Sequence, residues 1–85
     1  MNFTLQSVRV DTGSDDEDGV LVFADGRLVA ILVRLSEEHG DMTGQWFLEH
    51  GFNRLDGTAH PTFGDLEAAQ AWIAGRIRPA PTGSR

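Results

Sequence analysis

The sequence predicts an α+β fold: an antiparallel β-meander of about four strands with one C-terminal helix packed on one face. The dipeptide Asp25-Gly26 lies between two apolar runs, a pattern typical of a type I′ β-hairpin. After Asp65 the hydrophobic pattern changes from alternation to a helical period. At 85 residues the chain has room for one small domain. We expect this domain to span residues 1–78 and a flexible tail to follow at residues 79–85.

Three segments before residue 36 show the alternation or the apolar character of strands. Residues 3–10 alternate apolar and polar side chains with a slip in phase near the middle, which predicts a strand with a possible bulge at Gln6-Ser7. Residues 20–24 and 28–35 are rich in β-branched side chains and form the two arms of the predicted hairpin.

The C-terminal half of the chain predicts one further strand and the helix. Residues 45–52 are aromatic and alternating, and residues 53–61 carry turn-forming types throughout. A helical stripe follows between Asp65 and Ile77, with Asp65 as the predicted N-cap and Thr62 as a less favoured alternative. It consists of Leu66, Ala69, Ile73 and Ile77. Pro79 is expected to end the helix.

A strict two-residue turn assigns the hairpin side chains to two faces, because paired residues share a face. One face then carries Val20, Val22, Val29, Ile31, Val33 and Leu35, joined by Trp46, Leu48, His50 and Phe52, and we assign the helix to it. The other face carries Leu21, Phe23, Leu28, Ala30, Leu32, Arg34, Phe47 and Glu49. Both faces are largely apolar, whereas one helix covers only one side of a sheet.

This second face is the predicted interaction face. A second copy of the chain, forming a homodimer, or another protein would cover it, and the chain's own termini are a further alternative. It is also possible to interpret the face as an ordinary surface interrupted by Arg34 and Glu49. If the face assignment holds, Leu32→Glu should prevent association and leave the monomer folded, whereas Ile31→Glu should unfold the domain.

Composition argues against several classes of function. Thirteen acidic and seven basic residues give a formal charge of −6, which opposes nucleic-acid binding although an aromatic strand is present. The chain has no cysteine, and no apolar run is long enough to span a membrane. Met1–Thr4 lacks the features of a secretory signal, so we expect a cytoplasmic protein without membrane or nucleic-acid partners.

The sequence offers little evidence for a metal-binding or catalytic site. The acidic loop 11–19 partly resembles the start of a calcium-binding loop, and it is the basis of our alternative hypothesis of a small-molecule or divalent-ion binding protein. His39, His50 and His60 lack the spacing of metal ligands. No nucleophile elbow or phosphate-binding glycine loop occurs. We therefore expect no enzyme activity, no catalytic residues, no resident metal and no cofactor.

Overall fold

A computed structural model describes residues 2–13, 17–57 and 60–77. The chain forms strands β1 (Phe3–Arg9), β2 (Asp18–Ala24), β3 (Arg27–Arg34), β4 (Trp46–Gly51) and β5 (Thr62–Phe63), followed by helix α1 (Leu66–Ile77). The strands form one antiparallel sheet in the order β1-β2-β3-β4-β5.

This architecture confirms the predicted α+β meander with its C-terminal helix. The fifth strand, β5, has only two residues, too few to show a periodic pattern in the sequence. The predicted tail at residues 79–85 lies outside the described residues. Within the described residues, no helix has the length and apolar character needed to cross a membrane.

The tight turn between β2 and β3 is the predicted one. Asp25 and Gly26 have φ angles of 52° and 84°, the positive values that a type I′ turn requires at both central residues. The Asn2 backbone N–H donates a hydrogen bond to Asp25 Oδ1 at 2.9 Å, which ties the start of the chain to the turn.

A β-bulge in β3 changes the predicted faces. Phe23 pairs with Leu28 as expected, but Val22 pairs with Ala30, so Val29 is an extra residue in the ladder. Because side chains alternate along a strand, one extra residue sends every later side chain to the opposite face. The predicted faces of Ala30, Leu32 and Arg34 are therefore wrong, as are those of Ile31 and Val33.

A second bulge lies in β4, at Glu49. Leu48 pairs with Leu32 and His50 pairs with Ile31, so that His50 is on the face opposite Leu48. The shared face predicted for these two β4 residues is wrong for this reason. The bulge predicted in β1 is also absent, since β1 pairs with β2 in one continuous register from Phe3 to Arg9.

The core lies between the sheet and α1. It contains Val20, Val22, Ala30, Leu32, Leu48, Leu55, Phe63, Ala69 and Ile73. The predicted helical stripe is confirmed, because Ala69 and Ile73 are fully buried while Leu66 and Ile77 pack at its margins. The Ala68 N–H donates a hydrogen bond to Asp65 Oδ1 at 2.7 Å, as expected of the N-cap.

Candidate interaction surface

The sheet face that points away from α1 carries mostly apolar side chains, together with the polar Thr4, Gln6 and His50. Alternation from the core residues of each strand places seven apolar side chains there. We call this surface the outer face: Val8, Leu21, Phe23, Leu28, Ile31, Val33 and Phe47. None of the seven belongs to the core cluster beneath α1.

Most of the outer face is incompletely buried. Val33 is only 1% exposed, whereas the other six side chains are half-buried. Val33 pairs with Gly19, and a Cβ on Gly19 would lie only 2.6 Å from Val10 Cγ2. Val10 therefore packs closely over this corner of the sheet. The rest of the outer face keeps apolar surface that no helix among the described residues covers.

Aromatic rings of two histidines border the outer face on the β4 side. The His60 ring stacks on Phe47 with their centroids 5.7 Å apart, and the His60 Nδ1–H donates to the Leu48 carbonyl at 2.7 Å. His50 contacts the ring of Phe52 edge-on at 4.5 Å. The apolar patch is therefore bordered on this side by rings whose nitrogen atoms can form hydrogen bonds.

The structure brings together only part of the interaction face predicted from the sequence. Leu21, Phe23, Leu28 and Phe47 lie on the outer face as expected. Ala30 and Leu32 are instead fully buried in the core, Arg34 pairs with Trp46 on the helix side, and Glu49 is exposed in its bulge.

Sequence reasoning missed Val8, Ile31 and Val33 as members of the outer face. The position of Val8 on this face could have been inferred by extending the side-chain alternation along β1 and pairing β1 with β2. Ile31 and Val33 had no such signal, because β3 is apolar on both sides and nothing in its sequence marks the bulge at Val29. A strand with polar residues on one side would have revealed the change of face.

No protein-family model, curated protein or solved structure matches this chain. The function is therefore argued from the surfaces of the molecule alone.

The acidic loop offers no assembled metal site in the part that the structure describes. Arg9 Nη2 lies 2.7 Å from Glu17 Oε1, and Arg9 Nε lies 3.7 Å from Asp18 Oδ1. Within residues 2–13, 17–57 and 60–77, no three histidine, aspartate or glutamate side chains converge as metal ligands. Residues 14–16 of the loop and the side chains of Glu38 and His39 lie outside the described part.

A shallow depression of about 740 Å³ opens between the sheet and the start of α1. Arg34 and Trp46 line it together with Asp18 and Asp65. Asp65 caps the helix and Asp18 is near Arg9, so both carboxylates have partners within the protein. Arg34 and Phe47, which the sequence predicts on one face, lie on opposite faces of the sheet.

Proposed function

We propose that this chain is a small, non-catalytic protein-interaction module that forms a homodimer through the outer face. The observation that carries the proposal is the set of half-buried apolar side chains, centred on the Leu21–Ile31 pair, that lies on the side of the sheet opposite α1.

Covering this surface is energetically favourable. Full burial of a leucine, isoleucine or phenylalanine side chain contributes about 1.5–3 kcal/mol, so completing the burial of a half-buried one contributes about 1 kcal/mol. Antiparallel sheets with one solvated face normally carry polar side chains there. The apolar character of Leu21, Phe23, Leu28 and Ile31 departs from that pattern and favours a covered surface.

The charge distribution is compatible with a second copy as the occupant. The net charge of −6 opposes contact between two copies wherever their acidic residues meet. None of the seven side chains of the outer face is ionisable, and the described acidic residues Asp11, Glu17 and Asp18 lie at one end of the β1–β2 pair. Two outer faces related by a two-fold axis therefore bring apolar surface together without opposing carboxylates.

The test replaces Ile31, at the centre of the outer face, with glutamate. Sedimentation equilibrium of the wild type should show dimers at high micromolar concentration, and Ile31→Glu should raise the dimer dissociation constant about 100-fold because it buries two unpaired charges. Ala71→Glu is the matched control, since Ala71 is exposed on α1 and the substitution adds the same charge.

Equal dissociation constants for Ile31→Glu and the wild type would rule out the outer face as the dimer interface. A wild type that remains monomeric at the highest soluble concentration would do the same. A matching loss of association in Ala71→Glu would mean that added charge, rather than its position, weakens the dimer.

A further inference from the structure

The free edge of strand β1 carries a second inference, independent of the proposed function. We propose that β1 of one copy pairs antiparallel with β1 of a second copy, in a register centred on Gln6, and so joins two five-stranded sheets into one continuous sheet. This contact uses the backbone of the edge strand, and of the seven side chains of the outer face it involves only Val8, which lies opposite Thr4 of the second copy.

The direction of the free backbone groups follows from the contacts at the two ends of β1. The Asp25 N–H donates to the Asn2 carbonyl at 2.8 Å, and the Val10 N–H donates to the Glu17 carbonyl at 2.7 Å. Hydrogen-bonded pairs occur at every second residue of an antiparallel ladder. Thr4, Gln6 and Val8 therefore bond to β2.

The intervening residues direct their N–H and C=O groups away from β2. These residues are Phe3, Leu5, Ser7 and Arg9. No strand among the described residues lies on that side of β1, because β1 is the first strand in the sheet order. The edge thus presents a regular row of donors and acceptors over the whole length of the strand.

The two edges of the sheet differ in how they are protected. Natural sheets shield their edges with short strands, prolines, bulges and charged side chains. β5, at one edge, has two residues and directly follows Pro61. β1, at the other, has seven residues in unbroken register with no proline, and its one charged side chain, Arg9, is paired with Glu17. Only the β5 edge carries the usual protection.

A register centred on Gln6 satisfies every free group of β1 at once. Leu5 then pairs with Ser7 of the second copy and Phe3 pairs with Arg9, each as a hydrogen-bonded pair. Arg9 meets Phe3 rather than another arginine, so no like charges are opposed. Leu5, which is 36% exposed on the helix side, gains a neighbour across the new ladder. These features make a second copy the fitting occupant.

Ser7→Pro tests the edge without touching the contacts within one copy. The Ser7 N–H points outward, and proline is tolerated at edge positions of this kind. The variant should keep the circular dichroism spectrum of the wild type while the dissociation constant of the edge contact rises at least about 100-fold, because each copy loses a donor and gains a steric block. Ser7→Ala, which keeps the N–H, is the matched control.

The register is tested by charge exchange at Gln6. Gln6→Lys and Gln6→Glu should each weaken association about tenfold, since two like charges face each other at the axis, and an equimolar mixture should form heterodimers. Ala71→Lys controls for the added charge alone. Amide exchange at Leu5 and Ser7 should slow at least about tenfold as protein concentration rises, while Gln6 and Val8, already bonded to β2, should not change.

The outcomes separate this inference from the proposed function. Association abolished by Ile31→Glu but unaffected by Ser7→Pro, with unchanged exchange at Leu5 and Ser7, would overturn the edge contact and leave the outer face as the interface. The reverse pattern would support the edge and overturn the outer face. Sensitivity to both substitutions in a tetramer would support both contacts, whereas a wild type that is always monomeric would overturn both.

Discussion

Gly51 and Gly75 show that the surroundings of a residue determine whether a substitution there is tolerated. Gly51 is buried at the end of β4, where an added Cβ would lie 2.5 Å from Leu55 Cβ and 2.8 Å from the Leu55 carbonyl oxygen. Gly75 is exposed on α1, and an added Cβ there meets nothing within 4 Å. The same methyl group is therefore expected to have opposite effects at the two positions.

Gly51→Ala should lower the free energy of unfolding by about 1–3 kcal/mol, because the backbone of the 3₁₀ turn at Asn53–Leu55 must move away from the new methyl group. Gly75→Ala should raise the free energy of unfolding by about 0.5–1 kcal/mol, since alanine loses less backbone entropy in a helix. Urea denaturation measures both. A stable Gly51→Ala variant would show that the turn is not packed against β4 as described.

At the scale of the elements, the bulge at Val29 decides which side of β3 faces the core. Leu32 is fully buried beneath α1, while its neighbour Ile31 is half-buried on the outer face. From the sequence alone, Ile31→Glu would be expected to unfold the domain and Leu32→Glu to leave it folded. The observed register reverses this expectation. One extra residue in a ladder exchanges the structural and the surface roles of neighbouring side chains.

Leu32→Glu should therefore unfold the domain, because it places an unpaired carboxylate in the core and removes the packing of a leucine. Ile31→Glu should fold, with a loss of no more than about 1 kcal/mol in the free energy of unfolding, since its side chain reaches solvent. Circular dichroism and amide chemical-shift dispersion distinguish the two variants. Comparable unfolding of both would contradict the register described for β3.

Helix α1 depends on its N-cap as well as on its buried stripe. The carboxylate of Asp65 accepts a hydrogen bond from the Ala68 N–H, and it lies at the end of the helix where a negative charge is favoured. Asp65→Ala should lower the free energy of unfolding by about 1 kcal/mol, whereas Asp65→Asn, which keeps an acceptor, should cost less. Equal losses in the two variants would show that the hydrogen bond is not the source of the stabilisation.

At the scale of the whole molecule, net charge and apolar surface act in opposite directions. The chain carries a formal charge of −6, so any two copies repel each other at long range. The outer face and the edge of β1 favour association at short range, because one is apolar and the other carries unpaired backbone groups. Under both proposals, self-association therefore depends on the balance between long-range repulsion and short-range attraction, and ionic strength changes this balance.

Raising sodium chloride should strengthen self-association, because screening weakens the repulsion between two acidic copies without removing hydrophobic or backbone contacts. We expect the dimer dissociation constant to fall between low salt and physiological salt, as measured by sedimentation equilibrium. A dissociation constant that rises with salt would instead indicate that contacts between opposite charges hold the copies together.

The sequence by itself determined the elements whose causes are local. The Asp25-Gly26 turn follows from the φ angles these residues tolerate, and the helix from Asp65 to Ile77 follows from an N-cap and an apolar period. Only the tertiary structure determined which side chains of β3 and β4 face the core and which lie on the opposite side of the sheet. Their bulges depend on how neighbouring strands pair, and apolar side chains on both sides of β3 leave no local pattern to fix the register. The members of the outer face were therefore only partly predictable.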